Sequence, residues 1–232
     1  MTPAHKIYIA ARGKGWLCVE KPAGISVHNE PGHDILSLLA AQLPSHKKSG
    51  QDLLQPVHRL DKETSGLLLL ATAPDALTRL SALFARGEVT KRYLALVHGT
   101  FDLQKEEPPV WNTPLSKEAG GRNDPAGKGK KVDAVTRYTI LSQSCHYALL
   151  EIELLTGRKH QIRRHAKMAG HPVTGDSRYG SPRSIRFLRE KCHYHRLGLH
   201  AFHLEFQDLS SRISITSKQI PLEMASLLKQ DL

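Results

Sequence analysis

Residues 56–71 read Pro56-Val57-His58-Arg59-Leu60-Asp61-Lys62-Glu63-Thr64-Ser65-Gly66-Leu67-Leu68-Leu69-Leu70-Ala71. The stretch begins polar and ends in a continuous apolar run, with Gly66 dividing the two parts. The continuous apolar run predicts a buried strand. The charged and hydroxyl residues before it then sit at the strand's entrance, where side chains can face a cleft while the strand fixes their position. Asp61 is the residue there able to act as base, nucleophile or metal ligand. Its structural alternative is a turn carboxylate that bonds nearby backbone N–H groups.

On the N-terminal side, WLCVE (16–20) predicts a short strand, followed by turn chemistry at Lys21-Pro22-Ala23-Gly24. Ile35, Leu38 and Leu39 give residues 35–42 a helical face. On the C-terminal side, Pro74 opens a helix whose face is Leu77, Leu80, Leu83 and Phe84, with Gly87 as its stop. KRYLALVH (91–98) predicts a strand. Residues 104–131 are polar and rich in Pro, Gly and Lys, which predicts an excursion from the core with a mobile loop near 117–131. Tyr147–Leu155 reads as a strand and 159–169 as a helix ending at Gly170. Thr156 or Gly157 is the candidate cap, and Ile162 and Ala166 share one face. Two late strands follow at 199–207 and 212–217. The order does not alternate βαβα, and no Gly-rich phosphate loop follows a strand. A doubly wound sheet is disfavoured; an α+β fold is expected, with a mainly antiparallel mixed sheet flanked by helices and loops.

The 232 residues suit one domain, and 40% hydrophobic content is enough for a sizeable core. The chain carries 33 Lys and Arg against 22 acids, a net charge of +11. A globular chain this basic points to a polyanionic partner. Three widely spaced cysteines, Cys18, Cys145 and Cys192, form no CxxC, so a disulfide framework is disfavoured and a reducing cytoplasm fits. The N-terminus has no long apolar segment, and the longest apolar run is too short to cross a membrane.

Two further segments could carry chemistry. Leu155-Thr156-Gly157-Arg158-Lys159-His160-Gln161-Ile162-Arg163-Arg164-His165 concentrates cations at a helix start, where the helix dipole prefers anions. The reading is either a solvated basic face or cations compensated by RNA phosphate and by an internal carboxylate. Gly170-His171-Pro172-Val173-Thr174-Gly175-Asp176-Ser177-Arg178-Tyr179-Gly180 is dense in turn formers and says by itself only that a structured loop is present. Cys192 with His193, His195, His200 and His203 fits no ordinary zinc spacing, so no metal is expected.

KPAGISVH, HRLDKETSGLLLLA, KRYLALVHG, LLTGRKHQIRRH, GHPVTGDSRYG and LHAFHLEF occur in this order over residues 19–206. Together they resemble the successive motifs of RluA-type pseudouridine synthases. The resemblance implies a single catalytic domain with a central RNA-binding cleft. It also implies isomerisation of uridine to pseudouridine in ribosomal or transfer RNA, without a cofactor. In the family the Asp of HRLD is catalytic, which maps to Asp61. The Tyr of KRYLALV lies against uracil, which maps to Tyr93, and the Arg of HQIR pairs with the catalytic Asp, which maps to Arg163. Arg59 resembles the residue that fills the space of the flipped base. His58, Thr64, Arg158, His160, Gln161 and Arg164 lie within the same motifs and are expected to contact RNA. About fifteen residues precede the first motif, leaving no room for the S4-type domain of some members. RNA affinity is then expected from basic clusters such as Lys128, Lys130 and Lys131, or Arg183 and Arg186. A monomer with no membrane association is expected. The alternative of another class is a catalytically silent RNA-binding or assembly module with the same fold.

Overall fold

The computed structural model describes residues 6–43, 54–102 and 109–231. The start of the polar excursion, up to residue 108, lies outside them. In chain order the described residues form β1 (Tyr8–Gly13), β2 (Trp16–Lys21), α1 (Ile35–Gln42), β3 (Gln55–Pro56), β4 (Ser65–Ala71), α2 (Pro74–Arg86), β5 (Thr90–His98), β6 (Val110–Trp111), β7 (Leu115–Ser116) and β8 (Lys131–Val132). There follow β9 (Thr136–Gln143), β10 (Tyr147–Leu154), α3 (Gln161–Met168), α4 (Pro182–Cys192), β11 (Leu199–Asp208), β12 (Ser211–Thr216) and α5 (Leu222–Gln230). The class is α+β with a mixed, mostly antiparallel sheet, as the sequence predicts. The chain divides into two compact units, Met1–Thr90 with Ala201–Ile220, and Lys91–His200 with Pro221–Leu232.

In the first unit, β4 lies between β2 and β11, which is why its residues read as an unbroken apolar run. All of Leu67, Leu68, Leu69 and Leu70 are fully buried, each contributing roughly 1.5–3 kcal/mol by leaving water. β2 pairs with β4 antiparallel, Trp16 facing Ala71 and Lys21 facing Gly66. Side chains alternate, so Trp16, Cys18, Leu67 and Leu69 cluster on one face with Leu80 of α2 and Phe206 of β11. The buried stripe of α2 begins at Ala76 rather than at the expected Leu77, which is only half-buried. Leu80, Leu83 and the Gly87 stop stand as predicted; Gly87 is left-handed at φ 74. Gly66 has φ +109, and a Cβ there would lie 2.1 Å from the Ala201 carbonyl oxygen. Only glycine lets the polar turn enter β4 with β11 so close.

In the second unit, β5, β10, β9 and β6 form consecutive antiparallel neighbours. β7 and β8 make a separate two-stranded ribbon. α3 starts at Gln161, two residues later than expected, after His160 in a left-handed conformation at φ 54. Neither Thr156 nor Gly157 caps it. Ile162 and Ala166 are buried, as their shared face requires. The 117–131 stretch, expected to be mobile, is tied down: Arg164 donates to the carbonyls of Pro125 at 2.6 Å and Ala126 at 2.5 Å.

Candidate active site

Asp61 sits in the turn that feeds β4. Its carbonyl accepts from Thr64 N–H at 3.1 Å, closing the turn, and its side chain is half-buried. The next carbonyl, that of Lys62, accepts from Gly24 N–H and from Lys21 Nζ, both at 2.9 Å. Lys21 is 1% exposed, and its ammonium also donates to Pro22 O at 2.8 Å and Ile25 O at 2.7 Å. One buried cation therefore ties the KPAG turn to the backbone beside Asp61. Three carbonyl acceptors replace the water this ammonium loses. Reading the sequence as turn chemistry misses this role of Lys21; a lysine placed at the end of an apolar strand is the signal for it.

Elsewhere in the first unit, Arg59 is exposed. His58 Nε2 accepts from Leu69 N–H at 3.0 Å, and its ring stacks on Phe84 at 4.7 Å. Its side chain braces β4 against α2. Thr64 is buried.

The second unit contains Tyr93 and Arg163. Tyr93 lies on β5 opposite Ile152 of β10 and is 8% exposed. Arg163 forms a bidentate pair with Asp176, Nε–Oδ2 2.7 Å and Nη2–Oδ1 2.8 Å, with both side chains buried. Asp176 Oδ1 also accepts from the N–H groups of Arg178 (2.9 Å) and Tyr179 (3.0 Å). The guanidinium carbon of Arg163 lies 5.4 Å from the Tyr179 ring centre, and Tyr179 Oη meets His160 Nδ1 at 3.0 Å. Burial raises the Tyr179 phenol above its usual range despite three nearby guanidiniums, so it stays protonated. Asp176 is the internal carboxylate that the crowded cations of this helix start require. It escapes a reading of its own motif, where it looks like any turn Asp.

Gln161 and Arg164, expected to meet RNA, are interior. Gln161 is 2% exposed: its Oε1 accepts from Arg158 N–H and Thr156 Oγ1, and its Nε2 donates to Val135 O and Thr136 Oγ1. Arg164 is fully buried, and its guanidinium donates to five acceptors: Pro125 O, Ser116 O, Lys159 O, Ser116 Oγ and Ala126 O. Arg158, Lys128, Lys130, Lys131, Arg183 and Arg186 are exposed, and Arg158 Nε donates to Asp133 O at 3.0 Å. Among the described residues no three His, Cys, Asp or Glu side chains gather as metal ligands, and no helix is long and apolar enough to cross a membrane.

The fold defines a class first. The chain superposes on human RNA pseudouridylate synthase domain containing 1 with TM-score 0.77 at 22% identity, covering 97% of this chain and 90% of that one. For human RNA pseudouridylate synthase domain containing 4 the values are 0.74, 27%, 95% and 91%. The family described as RNA pseudouridylate synthase matches residues 15–168, which span Asp61, Tyr93 and Arg163. The chain belongs to this family, in its RluA-type branch. It is 36% identical over 244 residues to ribosomal large subunit pseudouridine synthase D of Zymomonas mobilis, covering 98% of this chain and 75% of the relative. It is 34% identical to tRNA pseudouridine synthase C of Vibrio cholerae, covering 82% and 81%. Several other relatives are longer: the chain spans 58% of the V. cholerae ribosomal large subunit pseudouridine synthase C.

Proposed function

We propose that this chain converts uridine to pseudouridine in ribosomal or transfer RNA, with Asp61 as the nucleophile on a flipped-out nucleoside. The supporting observation is the braced turn at Asp61. Lys21, Gly24 and Thr64 hold its backbone, while its carboxylate is left half-buried at the strand entrance. A merely solvated turn does not need a buried ammonium to hold it.

The reaction breaks N1–C1′, turns the base and forms C5–C1′. The proton on C5 leaves and N1 gains one, so no electrons are exchanged and no redox cofactor is required. An attacking carboxylate must be ionised, and full burial raises a carboxylate pKa by up to about 3–5 units. A uracil inside a helix is out of reach, so flipping at about a few kcal/mol is part of the reading, and stacking on Tyr93 returns roughly 1–3 kcal/mol. Arg163, held by Asp176, supplies a guanidinium whose orientation does not depend on substrate. Arg59 takes the place of the everted base.

Tritium release from RNA labelled at uridine C5 tests this directly. The wild-type chain releases label and leaves RNA length unchanged; Asp61→Asn releases none. Normal release by Asp61→Asn would end the nucleophile assignment. Mapping pseudouridines in total RNA with and without the protein names the target.

A further inference from the structure

The sequence holds two basic stretches, 117–131 and 178–191, separated by two strands and a helix. The structure laces them together. Arg122 donates through Nε to Gly180 O and through Nη2 to Ser177 O. Arg178 donates back through Nε to Gly120 O at 3.0 Å and through Nη2 to Ala119 O at 2.8 Å. Each loop thus gives its arginine to the other's carbonyls. Both are anchored from within, the first by Arg164 and the second by Asp176. A backbone so constrained has less freedom left to lose, which reduces the ordering cost of binding.

The second loop runs directly into α4, where Ser181 caps the helix through Ser184 N–H and Leu188 is buried. By helical spacing positions 183, 186 and 190 fall on the face opposite Leu188, and position 187 lies at the edge of that face, one turn on from 183. This face carries Arg183 and Arg186, and beside Arg183, one turn further along, stands Phe187, 54% exposed. A solvated basic face accounts for the arginines but not for the phenyl ring. An apolar protein partner accounts for the ring but would strip water from cations it cannot pair, against which α4 offers one acid, Glu190. An unpaired RNA strand accommodates both, with phosphates on the cations and a base on the ring.

We infer that the laced loop and the outward face of α4 form one docking surface for an unpaired RNA segment: Lys128, Lys130, Arg183 and Arg186 meet phosphates and Phe187 stacks a base. The inference rests on the pseudouridine synthase reading for the claim that the segment belongs to the substrate RNA.

The test uses the full chain and a single-stranded RNA of about twelve nucleotides, with binding followed by fluorescence anisotropy across a salt series. Lys128→Gln/Lys130→Gln and Arg183→Gln/Arg186→Gln each lower the slope of log K against log salt by about 1.4, two phosphate contacts at about 0.7 each. Phe187→Ala weakens binding about fivefold or more with the slope retained, and weakens a duplex of equal length less. Lys229→Gln, an exposed cation on α5, changes neither quantity. An unaltered slope in either double variant, wild-type affinity in Phe187→Ala, or equal loss on duplex overturns the surface. Tritium release is measured in parallel. Wild-type chain that releases none, while the slopes fall as stated, defeats the enzymatic reading and leaves the surface standing. Release with unaltered binding does the reverse.

Discussion

At the residue scale, two buried cations do opposite kinds of work. Arg163 is paired with a carboxylate, so removing Asp176's charge takes away a buried bidentate ion pair. Asp176→Asn is expected to lower stability by about 3–5 kcal/mol, read from urea unfolding. An equal or smaller loss than for a typical surface substitution would show the pair to be dispensable. Lys21 donates to three neutral backbone carbonyls. Lys21→Met leaves the carbonyls of Pro22 and Ile25 short of a donor, at roughly 1–3 kcal/mol each before relaxation, while the Lys62 carbonyl loses one of its two donors and keeps Gly24 N–H. Because Lys62 adjoins Asp61, this variant is expected to lose turnover as well as stability, and tritium release per folded molecule separates the two. For Asp61→Asn the expected loss exceeds about a thousand-fold in turnover with folding unchanged.

Elements explain which parts of these residues' surroundings are rigid. β4 is fixed by burial on both faces, and its entrance by Gly66. Gly66→Ala combines a left-handed φ with a 2.1 Å clash against backbone, which cannot rotate away. The expected cost is above about 3 kcal/mol, seen as a lowered Tm or loss of folded protein. By contrast a Cβ at Gly87 meets nothing within 4 Å, so Gly87→Ala carries only the φ penalty, about 1 kcal/mol. α1 is capped by Asp34, whose Oδ1 accepts from Ser37 N–H at 2.8 Å. Burial pushes the Asp34 carboxyl upward, but bonds from Ser37 and Glu30 outweigh it and hold its pKa below the usual value. A depressed folded pKa means the cap stabilises above the unfolded Asp pKa and is lost as pH falls through the folded one. Asp34→Ala should therefore cost about 1 kcal/mol at neutral pH, with the difference shrinking below about pH 3.9.

For the molecule as a whole, charge and protonation decide how stability follows pH. The chain has a net charge of +11 and 14 histidines, so acid only increases its self-repulsion. His200 is buried, and burial first, then Arg196, pull its pKa down to about 4. Burial lowers His98 and His165 as well. Since the unfolded imidazoles bind protons first, stability is full above about pH 6.5 and falls as pH drops towards 4. The His200 share is up to about 3 kcal/mol. Urea midpoints at pH 7.5 and 4.5 measure it. His200→Gln should flatten the difference, and an unchanged pH dependence in that variant would reject this source.

The amino-acid sequence, taken alone, determined what depends on local pattern. The Leu67–Leu70 run required a buried strand, and the Pro74 and Gly87 punctuation bounded α2. The ordered motifs required this family and singled out Asp61, Tyr93 and Arg163. Tertiary structure alone decided what depends on contacts between distant residues. Asp176 holds Arg163, Lys21 clamps the turn beside Asp61, Gln161 and Arg164 face inward, and Arg122 and Arg178 lace two basic loops. The reason is physical: a buried cation must find acceptors somewhere, but nothing in its own neighbourhood of the chain says which. That choice is made by packing, from residues tens of positions away.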